Sequence, residues 1–202
     1  MAEKTTVVPA NEASEADLEA VFATPGDPRR CWCQWFKTDT NGWSRNSVAQ
    51  RRALLLEQAG PGRPGAATTG LVAHVDRAPA GWVAVEPRTA YQRLLRSRTV
   101  WKGREEDRTD DGVWAITCYV VVPELRGRGV MEALTRAAVE HARRSGARAV
   151  EAYPRVAEPG KRCSESELYV GLDTVLLRCG FETVSTPSET RAVLRQDFDA
   201  EA

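Results

Sequence analysis

Residues 113–134, VWAITCYVVVPELRGRGVMEAL, are the stretch that decides the fold. The first ten of these residues, 113–122, are almost all apolar or β-branched, which predicts a central strand buried on both faces. An Arg-Gly-Arg-Gly turn follows at 126–129, and apolar residues then recur at helical spacing until Gly146 ends the helix. The sequence therefore predicts a strand, a glycine turn and a helix in direct succession.

This succession is suited to binding phosphate groups. The N–H groups of a first helical turn lack intrahelical partners and lie at the positive end of the helix dipole, so a pyrophosphate accepts several of them at once. Gly127 and Gly129 let the backbone approach such a ligand closely, because glycine has no Cβ. The pattern alone also occurs in ordinary strand-to-helix turns, so both interpretations stay open at this point.

The pattern on either side of this unit predicts one α/β domain, 1–202, with its core at about 4–197. Capping-box patterns at Ser14 and Ser47 predict the starts of two helices. The Pro-Gly run at 61–65 is a connector, and no internal repeat is visible. Further strands are predicted at 5–8, 70–75, 81–85, 149–153, 181–184 and 191–196, and shorter helices at 91–95 and 172–179.

Composition narrows the possible functions. The chain has 28 basic and 28 acidic residues, and a net charge of zero gives no field for non-specific nucleic-acid binding. No apolar run has the length of a signal peptide or a membrane span, so we predict a cytoplasmic protein with no membrane partner. The charged stretch 102–111 is predicted to be a solvated loop.

The cysteines predict reduced thiols and no metal site. Their number, five, is odd, and the chain shows no export signal. Cys31 and Cys33 form a C-x-C pair, but no second pair or nearby histidine completes a set of four zinc ligands.

Residues 122–129, VPELRGRG, placed between the strongest strand and a long amphipathic helix, resemble the acyl-CoA pyrophosphate loop of the GNAT N-acetyltransferase superfamily. The order of predicted elements is similar to that fold. Four further segments look like a bacterial GNAT subgroup with no assigned substrate: CWCQW at 31–35, GWVAVEPR at 81–88, WAITC at 114–118 and EAYP at 151–154. The resemblance implies a mixed, mostly antiparallel twisted sheet flanked by helices and splayed at its central strands to admit acyl-CoA.

The resemblance also implies a set of residues that bind acyl-CoA. The backbone at Tyr119, Val120 and Val121 would face the pantetheine arm and the thioester. Met131 stands where the family usually has Gly or Ala, and its side chain either leans away from the ligand or narrows the site. The residues expected around the pyrophosphate are Arg126, Gly127, Arg128, Gly129, Val130, Met131 and Glu132.

The function implied is that of an N-acyltransferase that uses acetyl-CoA, or another acyl-CoA, as co-substrate and no metal. Its acceptor would be an amine of a small molecule that attacks the thioester directly. A protein or peptide N-acetyltransferase and a non-catalytic acyl-CoA-binding module are the alternatives, and the oligomeric state, monomer or homodimer, stays open.

Candidate catalytic groups follow from the chemistry. An amine with a pKa of about 10.4 is almost entirely protonated at pH 7, so a base or a desolvating pocket is needed. Glu86 at a strand end is the candidate base, its alternative being a solvated carboxylate. Leu176 occupies the position of the acid, a tyrosine, in many family members, and Tyr169 is the nearest substitute, or else packs against the loop. The Val120 N–H is the expected oxyanion donor.

The acceptor side is less defined. The Trp-rich segment 31–36 either lines an acceptor pocket or forms a satellite core. The pocket is expected to be built around Trp32, Tyr91 and 157–166. Cys118 is interpreted as an inert core thiol rather than an acylated nucleophile.

Overall fold

The computed structural model describes residues 4–157, 160 and 164–198. Its strands are β1 (Thr5–Pro9), β2 (Gly70–Val75), β3 (Ala78–Pro87), β4 (Val113–Val121), β5 (Ala149–Ala152), β6 (Glu182–Ser188) and β7 (Arg191–Asp197). They form one seven-stranded sheet in the order β1-β2-β3-β4-β5-β7-β6. Only β4 and β5 are parallel neighbours, so the expected mixed, mostly antiparallel sheet is confirmed.

The helices are α1 (Glu15–Phe22), α2 (Pro28–Cys31), α3 (Thr40–Arg45), α4 (Val48–Ala59), α5 (Gln92–Leu95), α6 (Val130–Arg144), α7 (Glu165–Leu168) and α8 (Asp173–Arg178). Both predicted capping boxes are present, at Ser14 before α1 and Ser47 before α4. Helices α2, α3 and α7 were not predicted from the sequence, because they are too short to show a helical period. None of the helices in the described residues combines the length and hydropathy required to cross a bilayer.

The sheet opens at its centre. Strand β4 pairs with β5 only over residues 113–116, whereas its pairing with β3 continues to Val121. Thr117 is an extra residue on β4, because Ala84 pairs with Cys118 and Val85 with Ile116. Such a bulge bends a strand. Beyond it β4 and β5 are no longer paired, and the predicted splay is confirmed.

Helices cover both faces and hold β4 in the middle of the core. On one face, Leu134 and Ala138 of α6 are fully buried against β2 and β3. On the other, Leu18 and Phe22 of α1 pack with Trp82 of β3. Each large apolar side chain buried in this way contributes about 1.5–3 kcal/mol. The splay is therefore held between two packed layers.

The charged stretch 102–111 is not simply a solvated loop, and that prediction was wrong for Arg104 and Glu106. Arg104, with a side chain 4% exposed, pairs with Glu106 and with the fully buried Glu151 of β5. Arg88, also fully buried, lies 2.9 Å from Glu106 and 3.5 Å from Glu151. Charges enter a protein interior only as mutual partners, so the loop folds back onto the sheet. We call Arg88, Arg104, Glu106, Glu151 and Arg195 the buried ion network.

Candidate active site

The turn before α6 presents open backbone. Gly127 and Gly129 have φ of 76° and 78°, a left-handed conformation that favours glycine. A Cβ built at either position would meet no atom within 4 Å. Gly129 precedes α6 with no side chain capping the helix. The first-turn N–H groups therefore face open space, as a pyrophosphate ligand requires.

A cavity of about 340 Å³ lies against this turn. It is bounded by the end of β4, the start of α6, α7 and α8. Eight of the ten residues expected to bind acyl-CoA line it, namely Tyr119, Val121, Arg126, Gly127, Gly129, Val130, Met131 and Glu132. Val120 and Arg128 are not among its lining residues. Most of the residues expected to bind acyl-CoA are thus brought together at one site.

The direction of the β4 amides corrects the expected oxyanion donor. The Val122 N–H donates to Ala80 O on β3, at 2.9 Å, and the Tyr119 N–H donates in the opposite direction. Because successive N–H groups of a strand point to opposite edges, the Val120 N–H faces β3 and the Val121 N–H faces the splay. Tyr119 and Val121, rather than Val120, present their amides on the open side.

A segment of the chain crosses the splay. Residues 168–172, which we call the strap, join α7 to α8. The Tyr119 N–H donates to Tyr169 O at 2.6 Å, and the Arg155 N–H donates to Gly171 O at 3.0 Å. The strap therefore bridges β4 and the chain after β5, at the level where those strands are no longer paired.

Met131 lies beneath the strap. A Cβ built at Gly171 would come within 2.8 Å of Met131 Cε and 3.0 Å of Tyr119 Cε2. Met131 also packs against the core on the α6 face, while still lining the cavity of about 340 Å³. Its side chain is thus directed toward the strap and the core, and Gly171 leaves the room that it needs.

A larger cavity, about 1070 Å³, lies on the other face of β4. This is at the upper end of the usual size of small-molecule sites. Thr117, Cys118 and Val120 of β4 form part of its wall, together with residues of α2, α3, the chain after α5 and the β6–β7 hairpin. Tyr169 lines both cavities. The two spaces therefore meet at the strap.

The Trp-rich segment is divided between the core and a cavity wall. Trp32 is buried and stacks on Phe22 with ring centroids 5.0 Å apart. Trp35 and Phe36 line the cavity of about 1070 Å³. Left-handed backbone at Trp32, with φ of 46°, separates the two sets of side chains. The part of the expected pocket at residues 158, 159 and 161–163 lies outside the described residues.

Glu86 does not line either cavity. Its carboxylate forms an ion pair with Lys37 and accepts a hydrogen bond from Thr69. The side chains of Glu86 and Lys37 are 18% and 9% exposed, so the pair is partly buried rather than solvated. The charge of Glu86 also acts on the buried Tyr91: burial raises the pKa of Tyr91 well above its ordinary value, and the charge of Glu86 adds to the rise.

The cavity wall contains three thiols, those of Cys31, Cys33 and Cys118. Burial raises the pKa of Cys31 to about 12. A hydrogen bond with Cys33, together with burial, raises the pKa of Cys118 well above its ordinary value. A thiol without thiolate character is a poor nucleophile, which favours the interpretation of Cys118 as part of the wall.

Several residues of this wall could not be identified from the sequence. Trp43 and Arg51 form one edge, with the Arg51 guanidinium 3.8 Å from the Trp43 ring centroid. Tyr153 and Arg191 form another. No local pattern marks these positions, because they come from separate elements. Within residues 4–157, 160 and 164–198, His, Cys, Asp and Glu side chains nowhere gather in a group of three that could hold a metal ion.

Solved structures share the fold. An N-acetyltransferase from Staphylococcus aureus Mu50 is 12% identical, with 96% of this chain and 98% of that chain covered and a TM-score of 0.54. The yncA protein of Salmonella typhimurium, solved with its cofactor acetyl-CoA, is 14% identical, with coverages of 98% and 96% and a TM-score of 0.53. A ribosomal-protein-alanine N-acetyltransferase from Brucella melitensis is 16% identical, with coverages of 96% and 99% and a TM-score of 0.52. At these identities the likeness concerns the fold alone.

The sequence itself carries the family assignment. No curated protein sequence matches the chain. The sequence model of the acetyltransferase (GNAT) family matches residues 29–162, more than half of the chain and the part that contains β4, the glycine turn and α6. The chain belongs to the acetyltransferase (GNAT) family.

Proposed function

We propose that this protein transfers an acyl group from acetyl-CoA, or a related acyl-CoA, to the amine of a small molecule. The observation that carries the proposal is the meeting of two cavities at Tyr169, one against the open turn of α6 and one on the opposite face of β4. The first fits a thioester carrier and the second an acceptor. Acyl-CoA supplies an activated carbonyl, and every other part of the reaction falls to residues of this chain.

The α6 turn is the binding site proposed for the diphosphate. Amides at the start of α6 would each donate to a charged oxygen, which contributes about 1.5–3 kcal/mol per bond. Glu132 lies in the same first turn, but Arg136, 2.9 Å away, holds the pKa of its carboxyl low and compensates its charge. The turn therefore remains suited to an anion.

Two amides on the unpaired edge of β4 are the proposed site for the thioester carbonyl. Tyr119 and Val121 direct their N–H groups into the splay, where developing negative charge on a carbonyl oxygen is stabilised by fixed donors. Because Tyr169 O accepts the Tyr119 N–H, this donor becomes available only when the strap shifts. Ligand binding and strap movement are thus coupled in the proposal.

Transfer requires proton movement at both ends. The C–N bond forms as the C–S bond breaks, one proton leaves the nitrogen, and one is delivered to the sulfur. Tyr169 is the proposed acid, since it lines both cavities. Glu86 is the proposed base; because its carboxylate lines neither cavity, a water molecule between it and the amine would have to carry the proton.

Thiol release from acetyl-CoA across a panel of amines and short peptides tests the proposal, with calorimetry of CoA binding alongside. We expect micromolar to millimolar CoA affinity and turnover with at least one small amine. The Tyr169→Phe and Glu86→Gln variants should each lower kcat about tenfold to a hundredfold with little change in the Kd for CoA. Turnover with peptides alone would favour a protein acetyltransferase, and CoA binding without turnover a binding module.

A further inference from the structure

The charged side chains around the cavity of about 1070 Å³ are strongly unbalanced. Asp27 is its one acidic lining residue in the described part of the chain. Five basic residues line it as well, namely Arg30, Arg51, Arg98, Lys102 and Arg191. The protein as a whole has equal numbers of acidic and basic residues, so this excess of positive charge is local.

None of these five basic residues forms an ion pair within the described residues. Arg88, Arg104 and Arg195, for comparison, all contact carboxylates in the buried ion network. Arg30, Arg98 and Lys102 are exposed, where water compensates their charge. Arg51 and Arg191 are only partly exposed, so their charge is less well solvated.

Arg51 and Arg191 differ in the donors that they leave available. Arg51 donates to Arg30 O at 2.8 Å and to Trp43 O at 2.9 Å, and these bonds fix the guanidinium in the wall. Arg191 makes no side-chain hydrogen bond to any described residue. Burial lowers the pKa of Arg191, and the charge of Glu167 opposes that effect. Arg191 is therefore a partly buried cation whose side-chain donors bind no described residue.

The position of Arg191 relates it to the point of transfer. It is the first residue of β7, and its neighbours Ala192 and Val193 line the same cavity. Tyr169 and Val170 of the strap line it too. A ligand that extends from the strap to Arg191 would stay inside the cavity.

We infer that the acceptor amine carries an anionic group, and that Arg191 binds its oxygen atoms. This inference rests on the proposed function and names the class of acceptor. A guanidinium binds carboxylate and phosphate oxygens with two parallel hydrogen bonds, so both chemistries suit it. The positive surroundings also disfavour an ammonium ion and favour the neutral amine that attacks. The aromatic wall at Trp35, Phe36 and Trp43 contacts the apolar part of the same molecule.

Four rigid probes with the same aminomethyl group test the inference. They differ in the group para to it: a carboxylate in para-(aminomethyl)benzoate, a neutral amide in the benzamide, a phosphonate in the phenylphosphonate, and a second cation in the dicationic bis(aminomethyl)benzene. We expect kcat/KM for the better of the two anions to exceed that of the benzamide at least tenfold and that of the dication by more. The benzoate and the phosphonate together decide between carboxylate and phosphate chemistry. Equal or better use of the neutral or dicationic probe would overturn the inference.

The Arg191→Gln variant tests whether the preference for the anionic probes depends on Arg191. It should lower kcat/KM for the preferred anion about tenfold to a hundredfold, mainly through KM, and change that for the benzamide less than about threefold. Arg191→Lys should recover part of the loss for the anion. Arg77→Gln, in the exposed turn between β2 and β3, is the matched control and should change neither probe. An equal loss for both probes in Arg191→Gln would show a structural role and contradict the inference.

Thermal shift of the CoA-saturated protein with each probe separates the two proposals. Stabilisation that is selective for the anionic probes and that Arg191→Gln abolishes supports the inference even if no amine is turned over. The absence of turnover would contradict only the proposed catalysis. Stabilisation by all probes alike, or by none, contradicts the inference even where some other amine is acetylated.

Discussion

The two cavities that meet at Tyr169 are built from different parts of the chain. The cavity of about 340 Å³ is lined mainly by residues 119–132 and by residues from the strap and α8, and its binding groups are backbone amides beside glycines. The cavity of about 1070 Å³ is lined by side chains from Phe22 to Val193. Backbone recognition is thus local in sequence, whereas side-chain recognition depends on packing across the whole sheet. Four measurements test this difference between the two cavities.

The largest effect is expected in the buried ion network, which contacts Tyr153 of the larger cavity. Glu151→Gln removes a buried charge that Arg88, Arg104 and Arg195 contact, and the Tyr153 hydroxyl also donates to it at 2.8 Å. Uncompensated buried arginines should lower the free energy of unfolding by about 3–5 kcal/mol. Chemical denaturation measures the loss.

The control for that variant is Glu140→Gln, whose exposed pair with Arg144 spans 2.7 Å. Exposed ion pairs contribute little to stability, so this variant should lose only a small fraction of the free energy of unfolding that Glu151→Gln loses. Similar losses in the two variants would show that the buried ion network stabilises the fold no more than an exposed pair does.

The second effect is on the smaller cavity. Gly129→Ala puts a Cβ into the open space at the start of α6 and strains a residue with φ of 78°. The Kd for CoA should rise about tenfold or more, because the methyl group keeps the diphosphate from the amides. Gly146→Ala, with φ of 84° and equally open surroundings at the far end of α6, carries the same strain and should leave CoA affinity unchanged in calorimetry.

The third measurement decides the role of Met131. Its side chain is half-buried against the strap and core, so Met131→Ala should lower the free energy of unfolding by about 1–2 kcal/mol. The Kd for CoA should change less than about threefold, since backbone amides do the binding. A large gain in CoA affinity would instead mean that Met131 narrows the site.

The smallest effect is a pH dependence in the wall of the larger cavity. The pKa of Cys31 is raised by burial from 9.0 to about 12, so the folded thiol keeps a proton that the unfolded thiol loses. Its contribution to stability is fully present below pH 9.0 and declines as the pH rises toward 12. When the pH is one unit above the ordinary pKa of the thiol, the free energy of unfolding is lower by about 1 kcal/mol. Cys31→Ser should flatten the decline in urea titrations, and parallel curves for the two proteins would contradict the assignment.

The fold and the smaller cavity followed largely from the sequence. Residues 113–134 gave a continuous strand, turn and helix, and the amides that these residues expose are fixed by local backbone geometry. The Val120 assignment failed for one reason: the direction of an N–H group depends on which neighbour β4 pairs with, and no residue type encodes that choice.

Only the tertiary structure decided the rest. Three features join residues that are far apart in the chain: the pairing of Glu86 with Lys37, the buried ion network, and the position of Tyr169 between the two cavities. Arg191 is an ordinary strand residue in the sequence and becomes distinctive because it lines the larger cavity and forms no ion pair within the described residues. Local patterns specify backbone conformation through short-range sterics and hydrogen bonds, whereas the charge and burial of a side chain depend on which distant segments the folded sheet brings next to it.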